Sequence, residues 1–136
     1  MGAIDPQGLP TQSLEWGAIK WFVSPEHTPG AVMALGEVIL LPGKGHERHN
    51  HPDSEEILYI LSGEGAQMVA DAEPFPVRAG DTLYIPQAVF HSTINTGWAP
   101  LRLLAIYNPA GPETGLRELP DFREVPPGES PGWARS

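Results

Sequence analysis

The chain has 136 residues and a mass of 14.7 kDa, which fits one domain and is too short for two ordinary ones. Eight Lys and Arg against 17 Asp and Glu give a net charge of −9, which argues against a nucleic-acid partner because phosphate contacts need a basic face. A hydrophobic share of 40% excludes whole-chain disorder, the lack of Cys removes disulfides and thiolate chemistry, and no apolar run approaches the ~20 residues of a membrane span.

The opening MGAIDPQGLP lacks the basic and apolar stretches of a signal peptide, so the cytoplasm is the expected compartment. Residues 1–13 read as an N-terminal arm. Gly and Pro together number 31, so an all-helical fold is excluded and short strands between turns are expected. In chain order the strands are predicted at 14–23, 31–41, 56–61, 65–70, 82–85, 90–95 and 101–107. A weak helical candidate covers 113–119, between prolines. From Pro109 onward the chain holds six prolines and four glycines, and it reads either as a loose tail or as an arm anchored by Leu119, Phe122 and Trp133. The expected organisation is therefore a single all-β domain over residues 1–136. Its barrel core spans about 14–107, and a C-terminal arm covers 108–136.

The strand at 56–61 has apolar residues on both faces, Leu58 and Ile60 on one and Ile57, Tyr59 and Leu61 on the other. Both faces are expected to be buried, which calls for a second sheet, the tail or another subunit on the outside.

Chemistry concentrates in the histidines. His46, His49 and His51 lie within six residues, and His91 lies on a later strand. His49 and His51 are spaced i, i+2, so on an extended strand both imidazoles share a face, about 6.5–7 Å apart along the chain. Short alternating His spacing beside the acids Glu55 and Glu56 is a common way to build a transition-metal site. His46, three residues before His49, would face the other way on a straight strand. His27 sits in a Pro-flanked loop and reads as a surface residue.

The segment from Gly43 reads Gly43-x5-His49-x-His51-x4-Glu56-x6-Gly63, and the segment from Gly80 reads Gly80-x5-Pro86-x-Ala88-x2-His91-x3-Asn95. These resemble the two motifs of the cupin superfamily, G-x5-H-x-H-x3,4-E-x6-G and G-x5-P-x-G-x2-H-x3-N. Ala88 is the one departure, standing where the second motif has Gly. The spacer of 16 residues, 64–79, is typical of compact microbial single-cupin proteins. The resemblance spans roughly 31–107 and implies a double-stranded β-helix, or jelly-roll barrel. Gly43 and Gly63 are expected in tight turns that need a positive φ, and Pro86 ends its strand.

By that resemblance His49, His51, Glu56 and His91 correspond to the family's metal ligands, with one divalent transition metal ion per chain. Imidazoles with one carboxylate suit Mn, Fe, Co, Ni, Cu or Zn and leave one or two positions open. Counting back from Gly63 selects Glu56 over Glu55. The resemblance implies a metal-dependent enzyme acting on a small oxygen-rich or enolisable molecule, by dioxygenase, isomerase, lyase or cyclase chemistry. The alternative is a metal- or ligand-binding module without catalysis. Leu58 and Ile60 share a face with Glu56, and Thr93 and Asn95 share one with His91, so these four are the candidate pocket residues. No obvious catalytic base stands out; Glu55, Glu47 and His46 are candidates only by proximity in sequence. Family practice and the two-faced apolar strand imply a homodimer.

Overall fold

The computed structural model describes residues 2–135. Among the described residues, ten strands form two antiparallel sheets. The larger runs in the order β10 (Arg123–Val125), β1 (Thr11–Leu14), β2 (Gly17–Val23), β3 (Ala34–Leu40), β9 (Leu101–Asn108), β4 (Glu55–Ser62) and β7 (Thr82–Ile85). The smaller runs β6 (Phe75–Arg78), β5 (Glu64–Val69), β8 (His91–Asn95). The two sheets make a jelly-roll barrel, as the motif resemblance implies. No helix among the described residues is long and apolar enough to cross a membrane.

The barrel interior follows the period-2 rule. Along β3, Ala34, Val38 and Leu40 point inward, and along β9 Leu101, Leu103, Ala105 and Tyr107 do the same. Leu40, Ile60, Ile85 and Leu101 are fully buried, each contributing about 1.5–3 kcal/mol from apolar area removed from water. Gly43 and Gly63 have φ values of +77° and +90°, as their turns require.

Several elements differ from the sequence expectation. The strand expected at 14–23 is a hairpin, because Leu14 pairs with Gly17 and leaves Glu15 and Trp16 as a two-residue loop. A Cβ at Gly17 would lie 1.8 Å from the Ile39 carbonyl oxygen, so only glycine allows that loop to close against β3. The strand β6 contains Pro76 and tolerates it because it is the edge of the smaller sheet. The weak helix of 113–119 is a short 3-10 stretch, Pro112–Glu118.

The C-terminal stretch is the arm rather than the loose tail. Its strand β10 pairs with β1, Thr11 opposite Val125, and Phe122 packs on the core. The outer face of β4 is not buried within the chain: Ile57, Tyr59 and Leu61 are exposed by 36–41%, and Tyr84 of β7 beside them by 57%. Of the three coverings expected for this face, neither the second sheet nor the arm supplies one within the chain.

Candidate metal centre

Residues 43–51 form no regular strand, yet they run antiparallel to β8 through two isolated bridges, Gly45 to Ile94 and His49 to His91. His49 and His91 exchange both backbone hydrogen bonds, at 3.0 and 2.8 Å. Gly45 is needed there, since a Cβ would meet the Thr93 carbonyl oxygen at 2.3 Å. Between the bridges the loop advances four residues, 45 to 49, while β8 advances three, 94 to 91. That one extra residue acts as a bulge and reverses the alternation. His46 therefore faces the same cavity as His49, against the straight-strand expectation.

Three imidazoles converge. His49, His51 and His91 each offer a ring nitrogen, and these lie within 4.8 Å of one another. Glu56, on the inner face of β4, places Oε1 2.9 Å from His91 Nε2 and 3.3 Å from His51 Nε2. All three atoms are buried, and none has a hydrogen-bond partner of acceptable angle. Buried polar atoms left in this way are costly, and a cation at their meeting point is the simplest way to satisfy them. The chemistry of the set, imidazole with one carboxylate, fits a divalent transition metal.

Backbone carbonyls orient two of the rings. Glu47 O lies 2.7 Å from His49 Nδ1 and Val89 O 3.0 Å from His91 Nδ1, so each Nδ1–H donates to a carbonyl and Nε2 is left free to ligate. The loop carrying His51 is tied to the turn before β8: Ala88 N–H donates to His51 O at 3.0 Å, and Asn50 Nδ2 donates to Ala88 O at 3.1 Å. Ala88 holds φ +68°, a left-handed conformation that a Gly at this position would adopt at no steric cost.

The charges follow from this packing. Burial raises the Glu56 carboxyl, but the His51 and His91 imidazoles outweigh it and hold the group at about 2. Burial lowers His91, and Glu56 more than offsets it, for a net rise. Burial lowers His49, and it lowers His46 to about 4, with the neighbouring His49 adding to the effect. Tyr107, packed edge-on against His51 at 4.9 Å between centroids, is pushed well up by burial.

The cluster opens on a cavity of about 730 Å³. Leu58 and Thr93 line it, but Ile60 and Asn95 do not. Ile60 is packed in the core. Asn95 is spent on backbone: its Nδ2 donates to Leu40 O and Ala99 O at 2.9 Å, and its Oδ1 accepts from Gly97 N–H at 2.8 Å. Glu55 points to the other face of β4, where its carboxylate accepts from the Tyr84 hydroxyl at 2.7 Å and from Asn108 Nδ2 at 2.8 Å. His27 is exposed and outside the cavity. The far wall was not readable from sequence: Trp16 reaches it from the β1–β2 loop, and Leu116 and Asp121 reach it from the C-terminal arm.

Fold and site together define a cupin. The Cupin domain family matches residues 36–107, and the chain belongs to that family, whose members commonly bind a metal. An uncharacterized protein of Methanocaldococcus jannaschii is 40% identical over 91 residues, which is 67% of this chain and 72% of that one. Among solved structures, a predicted oxalate decarboxylase from Thermotoga maritima superposes with a TM-score of 0.68 at 25% identity, over 80% of this chain and 100% of that one. A Bacillus subtilis oxalate decarboxylase, studied for its Mn(II) centres, superposes at 0.63 with 29% identity, over 78% of this chain and 30% of that one.

Proposed function

We propose that this chain is a metal-dependent enzyme that acts on a small oxygen-rich or enolisable molecule, with His49, His51, Glu56 and His91 holding one divalent transition metal ion. The observation that carries this reading is the convergence of unsatisfied nitrogen and oxygen atoms at the floor of a largely apolar cavity. When bound, such an ion supplies Lewis acidity toward a carbonyl or enol oxygen. The chain's own part is to fix the ligand geometry through the Glu47 and Val89 carbonyls and to keep water away with Trp16 and Leu58. Glu56, ionised far below neutral pH, leaves the loaded site at about +1, which favours an oxygen ligand with two donor atoms.

Metal analysis of the purified full-length chain, followed by oxygen consumption in the presence of enolisable compounds, tests the proposal. Stoichiometric Mn, Fe, Co, Ni, Cu or Zn supports it, and substrate-dependent O2 uptake selects dioxygenase over isomerase, lyase or cyclase chemistry. Absence of metal after growth in metal-supplemented medium overturns it. We also propose that the chain folds as one domain and forms a homodimer through the exposed strip of Ile57, Tyr59, Leu61 and Tyr84. Sedimentation at micromolar concentration tests the dimer, and a species of 14.7 kDa refutes it.

A further inference from the structure

The cavity is lined by two kinds of side chain: the three imidazoles, Glu56 and Thr93 are polar, and Trp16, Ile19, Val38, Leu103 and Leu116 are apolar. Its volume of about 730 Å³ corresponds, at about 30 Å³ per water, to room for on the order of twenty water-sized groups. A two-carbon dicarboxylate chelating at the floor would leave the apolar wall without a partner, and apolar area contributes only when it is covered.

Charge points the same way. Among the described residues, no Lys or Arg lines the cavity, while Glu15, Glu47 and Asp121 do. The nearby Lys44 is paired with Glu15. A phosphate ester or free dicarboxylate entering here passes carboxylates and finds no cation beyond the ion at the floor, an arrangement that selects against anions. A fourth imidazole stands outside the candidate ligands: His46 packs edge-on against Trp16, 4.3 Å between centroids, and its buried Nε2 has no hydrogen-bond partner.

We infer, building on the metal-centre reading above, that the ligand of this site is an oxygen chelator that is uncharged in solution, largely apolar and of aromatic size, such as a β-diketone or an ortho-hydroxy ketone. Its paired oxygens face the His/Glu cluster, its apolar body lies along Trp16 and Leu116, and His46 Nε2 hydrogen-bonds one of its oxygens.

The test uses the full chain loaded with Co(II), titrated with benzoylacetone and with oxalate and followed by the visible Co(II) spectrum. Each affinity is divided by that compound's affinity for aqueous Co(II), which removes intrinsic chelating strength. Benzoylacetone is expected to show at least a tenfold advantage on this scale, the effect of burying one phenyl group. Equal values, or an advantage for oxalate, overturn the inference. Leu116→Arg, on the half-buried arm, is expected to shift the ratio toward oxalate by about tenfold by supplying the missing cation. An unmoved ratio refutes the role given to that wall. His46→Phe keeps the ring contact with Trp16 and removes the nitrogens, and it should weaken benzoylacetone about fivefold; unchanged affinity removes His46 from the site. A chain that takes up no Co(II) defeats the metal reading instead. The ligand class is then read in the metal-free chain from tryptophan quenching. Binding of benzoylacetone and not oxalate supports the inference there, and failure to bind benzoylacetone overturns it.

Discussion

The two walls of the cavity are built in different ways. The histidines of the polar wall come from residues 43–51 and from β8, stitched together by paired backbone hydrogen bonds and carbonyl-held rings, and Glu56 joins them from β4. The apolar wall joins barrel strands to the β1–β2 loop and the C-terminal arm, where the Glu15 N–H donates to the Asp121 carboxylate at 2.7 Å. The first wall is fixed by the barrel itself, while the rim of the second is contributed by the β1–β2 loop and the C-terminal arm. On the proposed reading, coordination and ligand choice rest on different segments, and substitutions can interrogate them one at a time.

The sharpest break is expected at the carboxylates of β4. Glu56→Gln should weaken metal binding by at least the 10–100-fold typical of outer-sphere losses, with Glu55→Gln changing it by less than about threefold. Competition with a fluorescent chelator measures both, and equal losses would show the strand to be in another register.

Stripping the metal comes next. At a free-metal level 100 times the Kd, binding contributes about 2.7 kcal/mol, so a chelator should lower Tm by about 5–10 °C. Calorimetry with and without chelator reads this, and an unchanged Tm in a chain shown to carry metal would mean that the cluster does not stabilise the barrel.

A smaller effect concerns pH in the metal-free chain. His46 and His49 are held below the ordinary 6.5, His46 at about 4, so the unfolded chain takes up protons first as pH falls through that window. Stability should therefore fall from pH 6.5 toward 4, and His46→Phe should flatten the slope. His91, raised by Glu56, works in the opposite sense: its contribution is present below 6.5 and is lost as pH rises through its folded value. Thermal melts across pH 4–7 check the sign, and a rise in Tm on acidification would contradict it.

The smallest expected change is at Ala88. A left-handed alanine costs about 1–2 kcal/mol and glycine's extra chain entropy about 0.5–1, so Ala88→Gly should stabilise by about 0.5–1 kcal/mol. Metal affinity should hold or tighten, because this turn secures the His51 loop. Urea melts resolve a change of that size, and destabilisation would show that the alanine methyl makes a contact of its own.

Legibility in the sequence follows the same division. The strands were readable from β-branched and aromatic runs between Gly and Pro turns, and the jelly roll from the resemblance carried by the two spaced motifs. The β1–β2 hairpin was missed because Glu15-Trp16 carries no turn signal of its own; only the close approach of Gly17 to β3 permits it. Pairing of β10 with β1 joins residues more than a hundred positions apart in a Pro-rich stretch, where local pattern says nothing. Strand parity placed Leu58 and Thr93 on the cavity but could not tell that Ile60 lies deeper or that Asn95 is occupied by backbone. His46 escaped for a different reason. A bulge is one residue of length without a residue-type signature, and it moves the side chain to the opposite face.

The hydrogen bond from Glu15 to Asp121 has a consequence for how such a protein changes over generations. It joins the first hairpin to the arm at the rim, so a new lip can be tried by altering a few residues of the hairpin or the arm while the His/Glu cluster stays intact. On the reading proposed above, relatives that share the four candidate ligands but differ in these two segments would take different molecules.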